Sequence, residues 1–214
     1  MQRDSTIVDQ AIIHFDKALS TLFGLPQTTQ RDNPANKVEL TEALTAKEAD
    51  LSARLMRVNH SGEVSAQALY QGQALTAKLP DVRQAMNDAA IEENDHLVWC
   101  AQRLNQLSSH TSLLNPIWYA GSFALGAIAG KAGDKWSLGF VAETEKQVIS
   151  HLEKHISKMS DKDVMSRVIL EQMQVDERHH QNTAIDAGAA RLPKPITHIM
   201  RLVSKIMTKS SYWI

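Results

Sequence analysis

The sequence predicts an all-α chain: a four-helix bundle with an apolar crossover helix, a short N-terminal helix and a C-terminal amphipathic helix. Three observations lead there. Apolar residues recur at three- and four-residue steps through four long stretches. Short breaks at Leu79-Pro80-Asp81 and Ser160-Asp161-Lys162-Asp163 fold these stretches into two hairpins. In each hairpin a lone glutamate, Glu63 or Glu145, precedes a Glu-x-x-His motif, Glu93 to His96 or Glu177 to His180.

A chain of 214 residues accommodates one large domain with appendages. We divide it into an N-terminal helix and linker (1–44), a bundle (45–190) and a basic tail (191–214). A hydrophobic content of 43% is enough for a core, and only 5% is aromatic, so aliphatic side chains must do most of the helix packing. The formal net charge of -1 gives no pull toward nucleic acid. Cys100 is the only cysteine, which excludes an internal disulfide and is compatible with a reducing compartment.

The first residues lack the charged start, apolar run and small-residue cleavage site of a secretory signal. Val8, Ile12, Phe15, Leu19 and Leu22 predict an amphipathic helix over residues 5–23, capped by Asp4 or Ser5 and ending near Gly24-Leu25-Pro26. A polar linker interrupted by Pro26 and Pro34 follows. Thr45-Ala46-Lys47-Glu48 is a capping box that opens the first long helix. Its stripe is Leu51, Leu55, Val58, Gly62, Ala66, Leu69 and Gln73, with Glu63 on the inner side. Gly62 and Gly72 cost up to about 1 kcal/mol each inside a helix, which points to close approach by another backbone or a ligand. His60 and Tyr70 could serve the site, but are read first as packing or rim residues.

The second long helix starts after Pro80-Asp81, and Glu93 and His96 interrupt its apolar stripe of Met86, Ala89, Ala90, Leu97, Cys100, Leu104 and Leu107. Glu92 is read as solvated and Cys100 as a buried, inert thiol. After a loop over residues 109–115 comes the least polar stretch, 116–130. It is shorter than the roughly 20 residues of a spanning helix. That leaves open a crossover helix between the hairpins or a surface dipping into one leaflet. The third long helix carries Leu138, Val141, Glu145, Val148, Leu152, His155 and Met159, and the fourth, capped by Asp161 or Asp163, carries Ile169, Met173, Asp176, Glu177, His180, Ala184 and Ala187. His151 is placed to approach the site, His155 and His179 are read as rim residues, and Asp95 and Asp176 are candidates to accept the outer ring proton of a ligand histidine. Beyond Leu192-Pro193-Lys194-Pro195, an apolar face of Ile196, Met200, Val203, Ile206 and Met207 stands against Lys194, Arg201, Lys205 and Lys209. Tyr212-Trp213 follows near the end. Such a helix fits an anionic membrane surface or a place on the bundle.

One Glu-x-x-His motif on an amphipathic helix is ordinarily a solvated face. Two copies, each with a partner glutamate equally far from its hairpin turn, place Glu63, Glu93, His96, Glu145, Glu177 and His180 at one level of the bundle, because helices rise about 1.5 Å per residue. Four carboxylates that close must take up protons or be matched by cations. Two divalent metals would match them, and this is the ligand set of ferritin-like di-iron and di-manganese bundles. Imidazole and carboxylate donors suit iron or manganese, with zinc not excluded by affinity.

The stretch RVNHSGEVSAQALYQGQ, followed by Glu-Asn-Asp-His, VAETEKQVISHLEKH and DERHH, resembles the demethoxyubiquinone hydroxylase family over roughly residues 45–190, and the tail is similar too. The resemblance implies a ferritin-like di-iron monooxygenase of ubiquinone biosynthesis that hydroxylates the unsubstituted ring carbon of a polyprenyl benzoquinol, with O2 as co-substrate. It implies two iron ions held by Glu63, Glu93, His96, Glu145, Glu177 and His180, with His151 near the reacting centre. Some members carry a tyrosine where this chain has Leu152. The resemblance also implies peripheral attachment to the membrane that holds the quinone, on the cytoplasmic side or on the matrix face of an inner organelle membrane. There is no Gly-x-Gly-x-x-Gly fingerprint, so electrons would come through the quinol, a reductase or weakly held NADH. A homo-oligomer and other ubiquinone-biosynthesis proteins are left open as partners. The rival reading is a ferritin-like iron-storage or detoxifying protein without an organic substrate.

Overall fold

The computed structural model describes residues 6–24, 26–39 and 42–214. These residues form helices α1 (Ile7–Phe23), α2 (Ala46–Thr76), α3 (Pro80–Gln106), α4 (Asn115–Ala132), α5 (Asp134–Ile156), α6 (Val164–Asp186) and α7 (Lys194–Ser211), with a 3₁₀ turn at Pro34–Lys37 and no strand. The capping box at Thr45 forms: Glu48 N donates to Thr45 Oγ1, and Thr45 N donates to Glu48 Oε2 at 2.8 Å. A second capping box, Thr6 with Asp9, opens α1. The expected caps Asp4 and Ser5 lie outside the described residues. Asp163 caps α6, accepting from Ser166 N at 3.1 Å.

Helices α2, α3, α5 and α6 make the bundle, in two hairpins joined by the crossover helix α4. Two apolar layers run across all four, beside a smaller cluster of Val64, Ala68 and Leu97 with Tyr119 of α4. One layer contains Leu55, Met56, Trp99, Cys100, Leu152, Leu170 and Met173. The other contains Ala66, Tyr70, Met86, Ala90, Leu138, Val141 and Ala184. Between them, on each helix, stands one of the glutamates or motifs singled out in the sequence, so the polar residues occupy a level sealed above and below by hydrocarbon.

The apolar stripe expected on α2 is only part of its buried surface. The helix is covered almost all round, and Arg57, Asn59, His60, Gln67, Gln71 and Gln73 are buried with it. Buried amides need partners, and for Gln67 and Gln71 a polar chain supplies them: Tyr119 Oη donates to Gln71 Oε1 at 2.6 Å, Gln71 Nε2 to Gln67 Oε1 at 2.7 Å, and Gln67 Nε2 to Asn94 Oδ1. This chain blurs the helical period that burial alone would produce.

The two glycines of α2 have different reasons. A Cβ on Gly72 would stand 2.2 Å from the carbonyl oxygen of Phe123, and one on Gly126 would stand 2.2 Å from that of Leu69, so α2 and α4 touch backbone to backbone there. Gly62 faces open space and lines a cavity. Helix α4 is therefore a crossover helix packed on α2, yet its far side leaves Ile117 and Ile128 62% and 67% exposed. Helix α7 lies against α2 and α5 while Leu202 and Ile206 face outward. No described helix is long and apolar enough to cross a membrane.

Gly72→Ala should lower stability by about 1 to 3 kcal/mol, since neither backbone can yield without separating the helices. Gly121→Ala, with nothing near its added methyl, should be neutral or stabilise by up to about 1 kcal/mol. Urea unfolding of both variants measures the difference.

Candidate metal centre

Glu63 comes from α2, Glu93 and His96 from α3, Glu145 from α5, and Glu177 and His180 from α6. All six are buried, none more than 7% exposed. The three-residue step brings each motif histidine against its own glutamate: His96 Nδ1 lies 3.2 Å from Glu93 Oε2, and His180 Nδ1 lies 3.3 Å from Glu177 Oε2. The remaining oxygens cross over. Glu93 Oε1 lies 3.2 Å from His180 Nδ1, and Glu177 Oε1 lies 3.3 Å from His96 Nδ1. Each motif carboxylate thus spans both histidines, while Glu63 completes the His96 side with Oε2 at 3.5 Å.

This geometry leaves too few protons for its acceptors. One ring nitrogen of His96 faces three carboxylate oxygens and can satisfy one N–H bond. Glu63 Oε2, Glu93 Oε1 and Glu145 Oε2 are buried without a hydrogen bond, although Glu63 Oε2 and Glu93 Oε1 lie within ion-pair range of an imidazole. A cation accepted by several oxygens at once removes the deficit. Donor atoms of Glu63, Glu93, His96 and Glu177 lie within 4.8 Å of one another, compatible with bonds of about 2 Å to one first-row ion. Glu145 and His180 fall outside that set, although His180 Nδ1 lies against the other oxygens of Glu93 and Glu177. Tyr70 Oη donates to Glu145 Oε1 at 2.5 Å.

Electrostatics carry the same strain. Burial, then the charge of Glu93, raises the Glu63 carboxyl well above its ordinary range, and burial with Glu177 and Glu93 does so for Glu145. Burial opposes ionisation of Glu93 as well, but contact with His180 and His96 outweighs it and holds that carboxyl low. Burial opposes charging His96, yet Asp176, Glu177, Glu63 and Glu93 together raise it, and Glu177, Glu92 and Glu93 likewise raise His180.

The outer ring nitrogens meet one acid expected from the sequence, Asp176, and one missed there, Glu92. His96 Nε2 pairs with Asp176 Oδ2 at 2.9 Å, and His180 Nε2 with Glu92 Oε2 at 2.7 Å. The acid immediately before each motif glutamate therefore holds the histidine of the opposite motif, an interaction that fixes ring orientation and tautomer in metal sites. Glu92, expected to be solvated, is 39% exposed and turned to this use. The repeated acid–Glu-x-x-His string was the available signal. Asp95 does not touch a ligand histidine. It accepts from Thr29 N and Arg31 Nε, both at 2.9 Å.

Among the other candidates, Tyr70 is both a core residue and the partner of Glu145. His60 sits apart, 3.3 Å from Asn115 Nδ2, and burial pushes it down to about 4. His155, expected at the rim, is buried and pairs with Asn59 Oδ1 at 2.9 Å, whereas His179 is exposed. Cys100 is buried beside Met173, and burial pushes its thiol well up. His151 lies against His155 with ring centroids 3.9 Å apart and planes tilted by 58°, and its Nε2 is buried without a partner. With Gly62, Glu63 and Leu152, it lines a cavity of about 310 Å³ walled by α2, α4, α5 and α7.

In the metal-free protein, His96, His180, Glu63 and Glu145 all have folded-state pKa values raised above their unfolded ones. Their stabilising contribution is present at low pH and is lost as pH rises through the folded values. Metal binding needs these donors deprotonated. The rise in melting temperature on adding Mn(II) should therefore grow between about pH 5 and about pH 8, and Glu145→Ala or His180→Ala should reduce it. Thermal scans with and without the ion measure both.

Comparison with known proteins agrees with this architecture. The solved structure of a dodecameric thioferritin, the bacterioferritin-related protein of Bacteroides fragilis, superposes with a TM-score of 0.55 at 19% identity, covering 76% of this chain and 92% of that one. This likeness shows the ferritin-like fold alone. Proteins named 3-demethoxyubiquinol 3-hydroxylase are far more similar in sequence. That of Nitrosococcus oceani is 58% identical (97% of this chain, 96% of that protein), and that of Acinetobacter baumannii 57% (99% and 100%). The Legionella pneumophila protein is 55% identical over 99% of this chain and 100% of its own. Residues 50–211 match the family described as "Ubiquinone biosynthesis protein COQ7", and with these relatives in hand the chain belongs to that family.

Proposed function

We propose that this chain is a 3-demethoxyubiquinol 3-hydroxylase that holds two iron ions between Glu63, Glu93, His96, Glu145, Glu177 and His180. The observation that carries the reading is the cavity that reaches Glu63 and no other member of the six. An iron-storage protein would need a route for ions. This route is lined instead by Val58, Leu69, Trp118, Phe140, Val148 and Val203, surfaces suited to a substituted ring and its prenyl chain.

Ferrous ions bound here would supply the electrons and Lewis acidity that activate O2 for hydroxylation of an aromatic ring. The chain's own residues do the rest. Gly62 leaves room for the ring beside Glu63, and the apolar walls exclude water. His151 is pushed down to about 4, chiefly by burial. It is therefore neutral at pH 7 and offers an unpaired ring nitrogen to a quinol hydroxyl. Replacing ring C–H by C–OH with one atom of O2 leaves the other as water and consumes two electrons and two protons. The electron source is the quinol itself, a reductase or NADH.

The prenyl tail ties the enzyme to a lipid surface. Exposed Leu202, Ile206 and Trp213 lie on or beyond α7 together with exposed Lys194, Arg201, Lys205 and Lys209, and Ile117 and Ile128 of α4 add to the apolar surface. Such faces support peripheral attachment to an anionic leaflet.

Iron-loaded protein given the demethoxy quinol, an electron source and ¹⁸O₂ should yield product carrying one heavy oxygen by mass spectrometry. Protein that holds iron and oxidises it without converting quinol under any reductant supports storage instead. His151→Ala should keep its metal content and lower turnover by roughly 10²- to 10⁴-fold, measured by metal analysis alongside product formation. The double variant Leu202→Glu/Ile206→Glu should retain iron yet lose sedimentation with anionic lipid vesicles, whereas unchanged sedimentation would remove α7 as the membrane contact.

A further inference from the structure

The linker between α1 and α2 carries no predicted element, but its described part, residues 26–39, lies across the metal motif of α3. Asn94 Nδ2 donates to Gln27 O at 2.7 Å, Thr29 N and Oγ1 both donate to Asp95, and Asn33 Nδ2 donates to Gln102 Oε1 at 2.7 Å. The 3₁₀ turn that follows packs on α6.

At the centre of this strap Arg31 reaches two helices at once. Its Nε donates to Asp95 Oδ2 at 2.9 Å and its Nη2 forms an ion pair with Asp176 Oδ2 at 3.0 Å, while the guanidinium lies 5.1 Å from the centre of the Trp99 ring. Asp176 Oδ2 is the same oxygen that accepts from His96 Nε2 at 2.9 Å. Gln172 Nε2, at 3.0 Å, holds the other oxygen. Asp95 and Asp176 are like charges on neighbouring helices, and a shared guanidinium lets both stay turned inward. Without it, Asp176 at the edge of the site is free to swing toward water and leave His96 unaimed. The opposite histidine has no such support. Among the described residues His180 is the only hydrogen-bond partner of Glu92, and Arg31 acts on Glu92 only at longer range.

We infer that Arg31 is a positioning residue for one half of the metal centre: by clamping Asp176 it aims His96, and it makes the linker part of the His96 position but not of the His180 position. The inference rests on the metal-centre reading above. It gives the two ions unequal surroundings within a ligand set that is otherwise nearly two-fold.

The test uses the full chain freed of metal and titrated anaerobically with Co(II). Wild-type protein should take up two ions. Arg31→Gln should weaken one of them by about 10-fold or more and leave the other within about twofold, the scale of losing an outer hydrogen bond to a ligand histidine. Arg31→Lys should recover part of the loss. In protein loaded with ⁵⁷Fe(II), Arg31→Gln should alter one of the two Mössbauer doublets. Arg31→Gln combined with Asp176→Asn should weaken binding no further than Asp176→Asn alone. Asn33→Ala releases the same linker at Gln102 without touching Asp176, and both ions should bind as before. Equal weakening of both positions, no weakening, or the same loss in Asn33→Ala would overturn the inference. A wild type that binds fewer than two ions would instead overturn the metal-centre reading.

Discussion

Four glutamates and two histidines share a level of the bundle, none more than 7% exposed, and that buried charge is the constraint on which the rest of the structure depends. An uncompensated ion in such a place costs roughly several kcal/mol. The fold answers with apolar layers on either side, which fix the height of each helix, and with the carboxylates of Glu93 and Glu177, each of which faces both imidazoles. What the protein groups alone cannot do is satisfy every oxygen. The orphaned atoms of Glu63, Glu93 and Glu145 are the physical argument for cations, independent of any likeness to other proteins.

The asymmetry of the site follows from what surrounds it. On one side Tyr70 closes over Glu145. On the other, Gly62 and the apolar walls leave an approach to Glu63 that passes beneath α7 and α4. The approach exists because α4 is drawn tightly onto α2 further along, where Gly72 and Gly126 let the backbones touch, so α4 forms a cavity wall rather than a loose crossover. Helices α4 and α7 each turn one side to the cavity or the bundle and leave apolar residues on the other.

The outer contacts cross between hairpins. Asp176 of α6 holds His96 of α3, and Glu92 of α3 holds His180 of α6. Orienting either histidine therefore requires both hairpins to be docked, which ties formation of the metal centre to completion of the fold. Arg31 adds the N-terminal linker to the same arrangement.

The all-helical class and the six converging residues were legible in the sequence because a three-residue helical step and equal distance from a tight turn are local properties. Family resemblance extended this to the reaction. Local rules could not supply the use of Glu92, the Glu145 bond of Tyr70, the burial of His155 or the docking of the linker. Each depends on which element lies opposite, and in a polar segment such as residues 26–39 no period announces a partner. The sequence thus determined which side chains share a level. Tertiary packing alone decided which outer acid meets which histidine and which metal position faces the cavity, because those pairings join residues whose separation along the chain carries no record of their distance in space.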